Sequence, residues 1–144
     1  MRLSTYTDYS LRVLMYLGLS GEKRTTIQDI ATSFRISKGH TMKIVHELGK
    51  LGYIETTRGR VGGLKLAKPP EAIGLGEVVR KTETDFDMVP CFISAKLCPI
   101  TPTCSLKGAL SLATRAYLKT LDEFTLADLL KTRVEMSRAL SLTD

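Results

Sequence analysis

No stretch of this 144-residue chain approaches the roughly 18 consecutive apolar residues that a membrane-spanning helix requires. Its first twenty residues, MRLSTYTDYSLRVLMYLGLS, carry Asp8 and Arg12 within their apolar part and lack a small-residue cleavage site, so they do not read as a secretory signal. The expectation is a cytoplasmic protein whose thiols stay reduced. Histidine is scarce: His40 and His46 stand six apart, a spacing that does not share one helical face and excludes a paired-histidine metal site. Cysteine is scarcer than a structural zinc site demands, with three thiols, no C-x2-C pair and no fourth partner. There is no glycine-rich phosphate loop at a strand–helix junction, no paired-carboxylate cleft and no Ser–His–Asp candidate, which speaks against an enzyme. Internal repeats and low-complexity segments are also missing, leaving one domain or two small ones with a sizeable core.

What the chain does have is unevenly placed charge. The net charge is +6, and residues 1–70 hold twelve Lys/Arg against five Asp/Glu, whereas residues 71–144 hold nine against ten. An anionic partner, most simply nucleic acid, therefore belongs on the first half.

The pattern of that half is specific. TYTDYSLRVLMYLGL (5–19) reads as a helix apolar over most of its circumference, which must be covered on two sides. Ile27, Ile30, Ala31 and Phe34 then follow the i, i+3, i+4, i+7 rule behind a Thr26/Asp29 capping pair. A short break leads to Ser37, an N-cap residue, and to KGHTMKIVHELGKLG, with Ile44, Val45, Leu48 and Leu51 inward and Gly52 as the stop. Two short helices joined by a tight turn, followed by YIETT and GLKLA around the basic RGRVGG tip, predict a winged helix-turn-helix. The fold class expected is mainly α with a small β-wing and a long C-terminal helix. The divisions expected are a DNA-binding domain over 1–81, an irregular cysteine loop over 82–104, a dimerisation helix over 105–130 and a flexible tail over 131–144. Leu106, Leu110, Ala113, Tyr117, Leu121 and Phe124 form the helix's apolar stripe, suited to packing on another helix.

In such a fold the start of the second helix enters the major groove. Ser37, Lys38, His40, Thr41 and Lys43 bring hydroxyls, a ring nitrogen and ammonium donors to that position. At the wing, Arg58 and Arg60 suit a narrow minor groove, and Gly62 and Gly63 would let the tip lie close to the duplex. The plain alternative, solvated polar residues on a helix and a turn, does not explain why a helical pair, a basic wing and the charge asymmetry coincide.

All three cysteines fall in CFISAKLCPITPTC, residues 91–104, with Pro99 and Pro102 between them and Pro90 just before. A proline-stiffened C-x6-C-x5-C segment suits something larger than one ion, and an iron–sulfur cluster fits because its irons each take a thiolate from a different direction. A disulfide-based redox switch and three incidental thiols remain as alternatives.

YTDYSLRVLMYL, ISKGHTMKIVHELGKLGYIETTRGRVGGLKLAKP, EVVRKTE, CPITPTCSLKGAL and FTLADLL together resemble, over nearly the whole chain, the iron–sulfur winged-helix repressors, the family of the bacterial regulators NsrR and IscR. The resemblance is strongest to the NsrR-type, nitric-oxide-sensing branch. It implies a homodimeric, cytoplasmic repressor of operator DNA in which Cys91, Cys98 and Cys104 hold the cluster, with Asp8 of the second protomer as fourth ligand. It also implies that nitric oxide attacks the cluster and releases the DNA. The IscR-type histidine ligand is replaced here by Lys107. Three cysteines and one oxygen serve either a 2Fe–2S or a 4Fe–4S cluster; the resemblance favours 4Fe–4S. A related regulator sensing iron–sulfur status or thiol oxidation is the second reading.

Overall fold

The computed structural model describes residues 2–57, 59 and 62–142. The first helix, α1 (Thr5–Ser20), begins where the Ser4 hydroxyl accepts the Thr7 amide at 3.2 Å and ends at Gly21, whose φ of 58° an L side chain rarely adopts. Its inner face buries Val13, Leu14, Tyr16 and Leu17 together with Thr7 and Ser10. The two hydroxyls are tolerated there because they bond locally, Ser10 donating to the Tyr6 carbonyl at 2.7 Å.

Helix α2 (Ile27–Phe34) starts at the expected capping box: the Asp29 carboxylate accepts the Thr26 amide at 2.7 Å and Thr26 Oγ1 accepts the Asp29 amide at 3.2 Å. Arg35, at φ 55°, turns the chain, Ile36 is buried as an anchor, and Ser37 caps α3 (Lys38–Lys50). Strands β1 (Ile54–Thr56) and β2 (Leu64–Leu66) pair antiparallel with Ile54 opposite Leu66 and Thr56 opposite Leu64. A bridge from Thr25 to Leu64 ties this hairpin to the loop between α1 and α2. Tyr53, fully buried at the junction of α3 and β1, has the Lys68 and Lys81 ammonium groups over its ring at 5.4 and 5.2 Å.

A 3-10 turn at Pro70–Ala72 leads to α4 (Leu75–Thr82), whose Val78 and Val79 close the core under α1. The segment expected to be an irregular loop contains three single turns: α5 (Pro90–Ile93) and 3-10 turns at Ala95–Leu97 and Thr101–Thr103. Prolines at the first or second position of two of them explain why each starts and why none extends. Helix α6 (Ser105–Asp122) then packs along α4, followed by α7 (Leu126–Leu129) and α8 (Arg133–Ala139).

The expected flexible tail is corrected by α8. Arg133 donates to the carbonyls of Gly18 and Leu19 at the end of α1, where a cation meets the negative pole of the helix, and Leu140 and Leu142 pack against the core. Within the α6 stripe Leu110, Tyr117 and Leu121 are half-buried, while Leu106 at its start is 63% exposed; Leu112, which stands off the stripe, is 62% exposed. No α6 residue is fully buried.

Candidate functional site

The outer face of α3 is built by its core face. Thr41, Ile44, Val45 and Leu48 are all buried, an i, i+3, i+4, i+7 row pressed against α1 and α2. Thr41 is therefore a correction to the expected reader set: its side chain is inside, and its hydroxyl donates to the Ser37 carbonyl at 3.1 Å. The arithmetic that places Ile44 and Leu48 inward also places Thr41 there. Ser37, Lys38, His40 and Lys43 are exposed as expected. Ser37 Oγ accepts the His40 amide at 3.2 Å, which consumes a lone pair and leaves its O–H free to donate. Sequence reading missed Met42, which stands out from this face with 56% of its surface exposed. The start of α3 thus offers a dipole-positive helix end and lysine ammonium groups to a phosphate chain, with a mixed polar and apolar surface between them.

At the wing, Arg58 and Arg60 lie outside the described residues. Gly62 is buried, and its carbonyl accepts Arg24 Nε at 2.7 Å. A Cβ on Gly63 would stand 3.0 Å from the Thr25 carbonyl oxygen. Both glycines lie against the α1–α2 loop. Gly63 thereby lets β2 approach Thr25.

The cysteines sit on three different turns. Cys91 follows Pro90 in α5, Cys98 follows the Ala95–Leu97 turn, and Cys104 occupies the N-cap position of α6 without a side-chain capping bond. All three are free and half-buried. The turns are closed by other atoms, the Cys98 carbonyl accepting Thr101 Oγ1 at 2.8 Å, so the sulfurs are uncommitted. Ile93, Leu97 and Ile100, 71%, 59% and 61% exposed, stand between them along the segment. Three uncommitted thiols on separate turns with apolar neighbours are a donor set that fits an iron–sulfur cluster. Among the described residues no three His, Cys, Asp or Glu side chains converge as a site for a single metal ion.

Asp8 is committed elsewhere in the same chain. Arg12 grips both its oxygens, Nε to Oδ1 at 3.1 Å and Nη2 to Oδ2 at 2.8 Å, the fork geometry suited to a carboxylate. The same guanidinium lies 5.7 Å from the Tyr9 ring centre and 5.9 Å from that of Phe34, the last residue of α2. The carboxylate thus stands beside the helix-turn-helix rather than with the thiols of its own chain.

Residues 3–132 match the model of the Rrf2 family, described as iron-dependent transcriptional regulators. The chain is 53% identical over 138 residues to an HTH-type transcriptional regulator NsrR of Geobacillus kaustophilus, covering 94% of each. It is 50% identical over 147 residues to the regulator of the same name from Bacillus subtilis, covering both chains fully. Among solved structures it is similar to T. potens IscR, with a TM-score of 0.74 at 25% identity, over 94% of this chain and 90% of that one.

Proposed function

Since the chain belongs to the Rrf2 family of iron-dependent transcriptional regulators, and is a DNA-binding regulator rather than an enzyme, we propose that it is a cytoplasmic, homodimeric repressor that senses nitric oxide through an iron–sulfur cluster, 4Fe–4S in form. The observation that carries the sensing half is the set of three free, half-buried cysteines whose turns are closed without their sulfurs. Cys91, Cys98 and Cys104 would hold the cluster, and Asp8 of the second protomer would be its fourth ligand. When bound, the cluster supplies iron that reacts with nitric oxide. A carboxylate holds iron less firmly than a thiolate does, which makes Asp8 the exchangeable corner.

The rest follows from the chain's own packing. The cysteine segment runs directly between α4 and α6, which are clamped by Arg80 donating to both Asp122 oxygens, one at 2.8 Å, over Gly76. Helix α4 packs on α1, and α1 packs on the reader helix α3. A rearrangement of the segment therefore reaches α3 through three helix contacts. Releasing Arg12 from Asp8 would free a cation that already touches Phe34, at the entry to the turn. A coupling of about 1–3 kcal/mol suffices to change DNA affinity five- to hundredfold.

The test is operator binding by the anaerobically purified protein before and after nitric oxide, with iron content read alongside. A brown protein that loses iron absorbance and at least fivefold in affinity is expected, with Cys98→Ala defective in both. Full iron and an intact response in Cys98→Ala would refute the assignment. A colourless protein responding to thiol oxidants would instead establish the thiol-sensing reading.

A further inference from the structure

We propose that Met42, with Gly39 three residues before it, makes an apolar contact to the 5-methyl group of a thymine in the major groove and so sets part of this regulator's sequence preference; the assignment rests on α3 being the DNA-reading helix. Two observations point there independently. Among the described residues, every other strongly exposed large apolar side chain lies between Met88 and Val134, on the cysteine segment and the C-terminal helices. Met42 alone breaks the pattern, 56% exposed in the half that carries the helix-turn-helix. A free surface gains nothing from a thioether there, while a partner surface with an apolar feature does.

Gly39 is the second observation. A Cβ at this position would meet nothing within 4 Å, and its φ is not among the positive ones. Neither packing nor backbone geometry calls for glycine, and a helix is weakened by it. Gly39 and Met42 are neighbours on the helix surface, so the missing side chain exposes bare backbone beside the Met42 thioether. Lys38 and Lys43, both exposed, flank this smooth patch with charges that suit phosphates. Of the groups base pairs present in the major groove, the thymine methyl is the apolar one. A helix that comes close enough to touch it needs the clearance that Gly39 provides.

The experiment selects a duplex from a random library with the full-length protein, then replaces each thymine by deoxyuridine, which removes only the methyl. At one thymine per half-site the wild type should lose about three- to fivefold in affinity, roughly the effect of one buried methyl. Met42→Ala should bind the parent duplex more weakly by a similar factor and be indifferent to that replacement, whereas Met42→Leu should keep the preference. Gly39→Ala should raise Tm by roughly 2–4 °C yet weaken binding, a combination that a structural role would not produce. If every replacement affects the wild type and Met42→Ala equally, the assignment is wrong. If no duplex is enriched by the wild type, the DNA-reading conclusion falls first and this one with it.

Discussion

Gly63 shows how much a single missing side chain decides. The Thr25 backbone comes so near that an added Cβ would stand 3.0 Å from its oxygen and 3.3 Å from its nitrogen, while the Leu64 amide donates to that same oxygen at 2.8 Å. Gly63→Ala should therefore push β2 off the α1–α2 loop, costing about 1 kcal/mol of stability and loosening the wing. Thermal melts and DNA titration check this, and an unchanged Tm would refute it. Thr41 teaches the complementary lesson. Its polar chemistry suggested a base contact, but a hydroxyl can turn inward whenever a carbonyl four residues back accepts it, as Ser37's does at 3.1 Å. Residue type alone does not reveal which way such a side chain points.

At the scale of elements, the helix starts were the most legible part of the chain, because a cap is a local bond between residues three apart. The capping box at the start of α2 appears where Thr26 and Asp29 announced it, and Thr125 and Asp128 form a second at the start of α7. The second has a consequence in acid. Lys131, which donates at 2.8 Å, and then the Thr125 amide and hydroxyl hold the Asp128 carboxyl down at about 2, from an ordinary 3.8. A carboxyl depressed in the folded state contributes stability above its unfolded pKa and loses it as pH falls through the folded one. Asp128→Asn should thus lower Tm near neutrality, and the gap to the wild type should close as pH falls from about 5 toward 2. Parallel melts across that range decide it; a gap constant with pH would show that the carboxylate's charge is not what matters. The turns of the cysteine segment and α8 were less legible, since single turns carry too few residues for a periodicity and α8 is held by distant carbonyls at the end of α1.

For the whole molecule, the division of surface is the main result. The basic first half presents the outer face of α3, while most of the exposed apolar side chains gather on the cysteine segment and α6. Two leucines of α6 that stand in the open, Leu106 and Leu112, are consistent with the proposed second protomer covering this helix. A charge at either leucine should prevent the covering. Leu112→Glu is expected to halve the mass measured by light scattering and to weaken operator binding more than about tenfold, since two reading heads would no longer act together. A variant that keeps the wild-type mass would place the contact elsewhere.

By itself, the order of residues determined the winged helix-turn-helix, the basic character of its reading half and the gathering of all three thiols in one proline-stiffened segment. Those features depend on short-range periodicity, caps and composition, which any chain carries in its local pattern. Only the tertiary structure decided that Gly63 serves Thr25, that Arg133 of α8 docks on the carbonyls ending α1, and that Leu110 and Leu121 of α6 are covered while Leu106 stays open. Each of those is a choice between faces or partners. It is made by which distant segment arrives to be packed against, and no local pattern encodes that arrival.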